Sequence, residues 1–79
     1  MDNKLHQEIT HLVKSVMNVD IEKVDRKTRF DQIGEWDSFN NLMLISKMQE
    51  KFNVEFTAVE IEETKTVGQL FDLMNKKVN

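Results

Sequence analysis

The pair Asp37-Ser38 stands directly before a segment of strong helical periodicity, and it holds the residues of this sequence best suited to chemistry. The Asp37 carboxylate is suited to cap a helix, because it can accept a hydrogen bond from a first-turn amide that has no partner inside the helix. Ser38 then lies in that first turn with its hydroxyl outside the core. Helix N-terminal amides and the helix dipole both favour an anion, so this serine is suited to carry an attached phosphate.

The remaining polar residues do not complete an active site. A serine nucleophile needs a nearby base, and the two histidines, His6 and His11, both fall on the first predicted helix. They point about 140° from one another, so we expect surface histidines rather than two ligands of one metal. Asp31, Glu35 and Asp37 lack the alternating spacing of a calcium loop, and we expect solvated acids and a helix cap. We therefore predict no catalytic residue and no metal site.

Size and composition restrict the class of protein. With 79 residues we expect one domain, residues 1–79, with no room for a separate catalytic domain. The net charge of −3 argues against nucleic-acid binding, which needs a basic face. The absence of cysteine excludes disulfides and thiolate metal sites. No signal-like or membrane-length apolar run is present, so we expect a cytoplasmic protein without a membrane partner.

Helical periodicity dominates the chain and predicts three longer helices and one short one. The first starts at Asp2 or Asn3, either of which can cap it, and ends before Asn18. Two capping boxes, Thr57 with Glu60 and Thr66 with Gln69, open the later helices. The expected helices are about Asp2 or Asn3 to Met17, Ser38 to Phe52, Ala58 to Glu63, and Val67 to Lys76 or Lys77.

A long connection, residues 18–36, separates the first two helices. Loops of this length need anchors in a compact domain, and we assign that role to Ile21, Val24, Phe30 and Ile33. Gly34 offers a positive φ where the loop turns into the second helix. The predicted core consists of Leu5, Ile9, Leu12, Val16, Phe30, Leu42, Ile45, Met48, Phe52, Phe56, Val59, Ile61, Val67, Leu70, Phe71 and Met74.

With these elements in place, the sequence resembles the acyl carrier protein family, which includes peptidyl and other aminoacyl carrier domains. The similarity rests on the segment Phe30–Phe39 (FDQIGEWDSF), on the helix that follows it, and on the later segments Val54–Phe56 and Thr66–Leu70. It implies an all-α fold, a four-helix bundle of the acyl carrier type with a long first loop and a short third helix. It also implies that Ser38 carries 4′-phosphopantetheine, whose thiol holds an acyl or aminoacyl group as a thioester. Asp37 would act as helix cap and as a recognition element for the transferase.

The resemblance implies partners as well: a phosphopantetheinyl transferase, a loading ligase, and a downstream acyltransferase or synthase. The second helix is the expected docking surface, through Phe39, Asn40, Met43, Ser46, Lys47 and Glu50. An acyl chain could lie between helices among Leu42, Ile45, Met48 and Ile61. We expect a monomer that is a carrier rather than an enzyme.

Two departures from the family pattern favour a specialised biosynthetic pathway or an aminoacyl carrier. Phe39 replaces the usual leucine after the serine, and the second helix has Glu50 as its only acid. Fatty-acid carriers are usually acidic there, and charges at an interface set orientation and association rate. The alternative is an unmodified helical module that binds proteins through the second-helix surface.

Overall fold

The computed structural model describes the backbone of residues 3–78 and the side chains of residues 4–78. The described residues form four α-helices, α1, Asn3–Met17; α2, Ser38–Phe52; α3, Ala58–Glu63; and α4, Val67–Val78. These bounds confirm the predicted helices, with α4 one or two residues longer than expected. Two short 3-10 helices, Ile21–Lys23 and Phe30–Gln32, lie in the long loop. The expected cap at Asp2 lies outside the described residues, and Asn3 is already helical.

Helix ends are formed by the residue types that physical chemistry favours. Asn18 and Asn53, which follow α1 and α2, adopt left-handed conformations with φ of 59° and 55°. Asparagine tolerates this region better than other residues with a side chain, and there its amide closes the last turn. The amide of Asn18 donates to the carbonyl of Lys14 at 2.9 Å, which confirms the predicted stop of the first helix.

The core forms where α1, α2, α4 and the long loop meet. α1 contributes residues at i, i+4, i+8 and i+12, a stripe that places one face of the helix against its neighbours. Within the described side chains the buried apolar residues are Leu5, Ile9, Val13, Met17, Val19, Ile21, Trp36, Leu44, Met48, Val67, Leu70, Phe71 and Met74. Several predicted core residues instead lie half-buried at its margin, namely Leu12, Val16, Phe30, Ile45, Phe52, Phe56 and Ile61.

Two residues predicted to be in the core are on the surface. Leu42 is 59% exposed and Val59 is 60% exposed. Leu42 and Leu44 lie about 200° apart around α2, so the core can take only one of them. Leu44 is the buried one, and with Met48 it forms the stripe that faces the core. The six residues of α3 include no buried side chain, which leaves Val59 in solvent.

The long loop is anchored as predicted. Ile21 is buried, and Val24, Phe30 and Ile33 pack half-buried against the core. The expectation of a positive φ at Gly34 is wrong, because both glycines have negative φ. The loop turns instead through a tight hydrogen bond of 3.0 Å from the Trp36 amide to the Ile33 carbonyl, a geometry that any residue can adopt.

Backbone hydrogen bonds attach this loop to the start of α4. The Phe30 amide donates to the Lys65 carbonyl at 2.9 Å, and the Gly68 amide donates to the Arg26 carbonyl at 2.9 Å. The Val67 amide donates to the Thr28 carbonyl at 3.1 Å. A Cβ on Gly68 would lie only 3.0 Å from that Arg26 carbonyl oxygen, so glycine permits this close approach. The loop therefore enters α2 from a fixed position.

Candidate functional site

Asp37 caps α2 and Ser38 is its first helical residue. Asp37 is extended, with φ of −103° and ψ of 176°, and its Oδ1 accepts from the Asn40 amide at 2.8 Å. Its carbonyl accepts from the Asn41 amide at 2.9 Å, which closes the first helical turn. The structure thus confirms the predicted capping by Asp37, and it leaves the Ser38 residue exposed to solvent.

Two amides beside the hydroxyl remain available to a ligand. The amides of Ser38 and Phe39 donate to no acceptor within the described part of the chain. Unpaired amides at a helix start carry the positive end of the helix dipole. An anionic group attached to the Ser38 oxygen would therefore lie in a favourable field.

An aromatic and amide support beneath the serine was not predicted. Trp36 is 7% exposed and stacks on Phe30, with ring centroids 4.0 Å apart and an interplanar angle of 6°. Its indole Nε1 donates to Asn41 Oδ1 at 2.9 Å, and Asn40 Nδ2 donates to the Glu35 carbonyl at 3.1 Å. A large apolar residue immediately before a helix cap is a signal of an anchor at the helix entry, and here Trp36 pairs with the polar Asn41 at the fourth helical position.

A shallow depression of about 300 Å³ opens beside the hydroxyl. The start of α2 and the turn between α3 and α4, where Thr64 and Lys65 lie, both contribute to it. Its lining is Arg29, Phe30, Asp31, Trp36, Asp37, Ser38, Asn41, Thr64 and Lys65. The depression therefore joins the end of the long loop and the start of α2 to a turn that is distant in sequence.

Some of the predicted docking residues of α2 are exposed to solvent, and others are half-buried. Phe39 is 71% exposed, and Ser46, Lys47 and Glu50 are exposed as well. Asn40 and Met43 are half-buried. Leu42, which was assigned to the interior, lies on the outer surface one turn after Phe39 and so adds a second apolar side chain to that surface.

The predicted acyl-pocket residues do not all meet. Ile45 and Ile61 line a narrow crevice of about 20 Å³ between α2, α3 and α4. Leu42 is on the surface and Met48 is fully buried in the core, and neither lines this crevice. A crevice of this volume has room for about one water molecule, so it is too small for an acyl chain in this conformation.

An ion pair holds α3 against α4 next to this crevice. Lys77 Nζ lies 2.8 Å from Glu60 Oε1 and 5.3 Å from the centroid of the Phe56 ring. The hydrogen bond from Lys77, reinforced by the Thr57 amide, lowers the pKa of Glu60 below its ordinary value of 4.5. Glu60 also completes the predicted capping box, accepting from the Thr57 amide at 2.9 Å while its own amide donates to Thr57 Oγ1 at 3.1 Å.

The histidines lie away from Ser38's depression. His11 is exposed, whereas His6 is half-buried and stacks on Phe71 with centroids 4.5 Å apart, so the prediction of two surface histidines is wrong for His6. Among residues whose side chains are described, no group of three or more His, Cys, Asp or Glu could hold a metal ion. No helix in the described range 3–78 is long and apolar enough to cross a membrane.

A family model described as a phosphopantetheine attachment site matches residues 7–74 of this chain. An acyl carrier protein of Thermosynechococcus vestitus is 32% identical over 76 residues, which cover 96% of this chain and 94% of that protein. The chain belongs to the acyl carrier protein family. An acyl carrier protein of Buchnera aphidicola is 25% identical over 75 residues, or 95% of each chain.

A crystal structure of an acyl carrier protein from Thermotoga maritima superposes on this fold with a TM-score of 0.77. The two chains are 27% identical, and the match covers 95% of this chain and 87% of that one. This confirms the predicted fold class, an all-α bundle of the acyl carrier type. Members of the family are carriers rather than enzymes, and they bear a covalently attached 4′-phosphopantetheine.

Proposed function

We propose that Ser38 is the attachment residue and that residues 1–79 act as a single carrier domain. The observation that supports this most strongly is an exposed serine at the first position of α2, next to two unpaired amides and a capping aspartate. Exposure lets a separate transferase reach the hydroxyl. The rigid support by Trp36 and Asn41 fixes where the arm leaves the protein.

The residues present fit the prosthetic group. The free amides of Ser38 and Phe39 offset the negative charge of a phosphodiester on the serine oxygen. Asp37 holds the first turn of α2 through the Asn40 amide, and Asn40 holds the preceding loop through the Glu35 carbonyl. When bound, the group supplies a terminal thiol that this cysteine-free chain lacks and that carries an acyl or aminoacyl group as a thioester. A flexible tether at a rigid helix start raises the local concentration of that group at a docked enzyme.

We propose that partner enzymes dock on the outer surface of α2. Phe39 and Leu42 are its apolar anchors, and Ser46, Lys47 and Glu50 form its polar surroundings. A phosphopantetheinyl transferase, a loading ligase and a downstream acyltransferase or synthase are the expected partners. Because this surface carries one acid and a lysine, it suits enzymes of a specialised pathway better than enzymes that present a basic patch.

The test of attachment is the intact mass after incubation with coenzyme A and a broad-specificity phosphopantetheinyl transferase. We expect the mass of one arm on the wild-type protein and none on Ser38→Ala. Ser15→Ala is the matched control, because Ser15 is an exposed serine of α1, outside the proposed docking surface, and it should be modified like the wild type. A folded monomer that takes no arm would favour the unmodified binding module instead.

We further propose that an acyl chain, if it enters the protein, enters at Ile45 and Ile61. These residues line the crevice beside α3, which buries no side chain and can therefore move at small cost. Thermal unfolding of the arm-bearing protein with and without a medium-length acyl group tests this. A higher unfolding temperature with the acyl group is expected, and no change would show that the cargo stays in solvent.

A further inference from the structure

Two cationic side chains border the depression beside Ser38, and they differ in their charge partners. Arg29 is neutralised locally, since its guanidinium contacts the Asp31 carboxylate at 3.1 Å. Lys65 lines the same depression, and its ammonium has no ion pair among the side chains described. Lys65 is therefore the cation of this depression that remains available to a new anion.

The backbone of Lys65 is fixed on both sides, so its side chain starts from a defined place. Its amide donates to Gln69 Oε1 at 2.7 Å, within the capping arrangement of α4. Its carbonyl accepts from the Phe30 amide at 2.9 Å, the same contact that anchors the long loop. The backbone of Lys65 is thus held by α4 and by the long loop.

The charges that face the depression favour a singly negative group near Lys65. The acids there are Asp31, which is paired with Arg29, and Asp37, which accepts a hydrogen bond from the Asn40 amide. Attachment at Ser38 adds a phosphodiester with one negative charge next to Asp37, and the two repel. The Lys65 ammonium, which lines the same depression, compensates for that repulsion when the phosphate lies in the depression rather than in solvent.

We propose that this depression is a resting seat for the phosphate end of the arm, with the Lys65 ammonium as the counter-charge of the phosphodiester. The inference rests on the proposed attachment at Ser38. The Phe30–Trp36 stack forms the apolar floor of the seat, against which the first carbons of the arm lie. Because Lys65 is exposed, the ion pair is weak and readily exchanged, so the arm leaves the seat when an enzyme docks.

The experiment compares arm-bearing wild type, Lys65→Gln and the control Lys76→Gln, which changes an exposed lysine of α4 that lies outside both the depression and the proposed docking surface. Trp36 is the only tryptophan of the chain and lines the seat, so its fluorescence emission reports occupancy. We expect attachment to change the Trp36 emission and the NMR chemical shifts of the Thr64 and Lys65 amides in wild type and in Lys76→Gln. Both changes should shrink at least several-fold in Lys65→Gln, and in wild type at molar salt, which screens exposed ion pairs.

If attachment changed only the NMR chemical shifts of residues 37–40 and left the Trp36 emission unchanged, the proposed phosphate site would be refuted. Equal changes in wild type and Lys65→Gln would refute it as well. Intact mass separates these outcomes from failure of the proposed function, because a protein that bears no arm shows no added mass. Thermal unfolding of the unmodified variants shows that each remains folded.

Discussion

Replacing Gly68 by alanine tests whether the close approach of α4 to the long loop is a real constraint. The new Cβ would lie 3.0 Å from the Arg26 carbonyl oxygen and 3.2 Å from the Arg26 Cβ. The Arg26 carbonyl cannot move away freely, because it accepts a 2.9 Å hydrogen bond from the Gly68 amide. The neighbouring hydrogen bond, from the Val67 amide to the Thr28 carbonyl, also holds the loop in place. Overpacking of this kind costs roughly 1–3 kcal/mol, whereas alanine gains up to ~1 kcal/mol over glycine inside a helix.

The cost outweighs the gain, so we expect Gly68→Ala to lower the free energy of unfolding by about 1–2 kcal/mol. Gly34→Ala is the matched control, because nothing lies within 4 Å of its added Cβ and its φ is negative. That variant should be unchanged or about 0.4–1 kcal/mol more stable. Urea unfolding followed by circular dichroism measures both, with equal slopes required for the comparison. A Gly68→Ala protein as stable as wild type would refute the steric argument.

Three further predictions concern α2 and the contact of α3 with α4. Leu44→Ala should cost about 2–5 kcal/mol in urea unfolding while Leu42→Ala changes stability by less than about 0.5 kcal/mol, and equal losses would contradict the assigned helix face. Asp37→Ala should lower the free energy of unfolding by about 1 kcal/mol, and Asp37→Asn by less, because asparagine also caps a helix. If a transferase modified Asp37→Asn as slowly as Asp37→Ala, the enzyme would be recognising the charge of Asp37 rather than the capped helix. Because the pKa of Glu60 is lower in the folded protein than its ordinary value of 4.5, its ionised carboxylate stabilises the folded state above pH 4.5. That stabilisation is lost as the pH falls through the pKa of the folded state. Acidification should thus destabilise wild type more than Lys77→Met, and parallel losses in thermal melts would exclude that role for the pair.

α2, α3 and α4 were predictable because each carries its own start signal. The capping boxes at Thr57 and Thr66 and the aspartate cap at Asp37 all form as expected. These are local interactions between residues three apart, which a sequence displays directly. The anchoring of the loop by Ile21 followed from the need to bury apolar residues, without knowledge of where they would lie.

The interior of α2 was less predictable, because its sequence carries apolar residues on more than one side. Leu42 and Leu44 are the same residue type, so only contact with the rest of the bundle decides which of them is buried. The crevice at Ile61 and the Lys77–Glu60 pair join segments far apart in sequence, so no local pattern announces them. Trp36 and Asn41 are only five residues apart, but their hydrogen bond also depends on tertiary structure, because it forms only once the loop has turned into α2.

The backbone hydrogen bonds between the long loop and the start of α4 set the path of the chain without help from most of the loop's side chains. They join main-chain atoms at Phe30, Val67 and Gly68. Among the side chains, Arg26 adds an ion pair with Asp72 at 2.9 Å, whereas Lys27 is exposed. A protein engineer could therefore change exposed side chains such as Lys27, and with them the surface offered to partner enzymes, while the proposed attachment serine stays where it is.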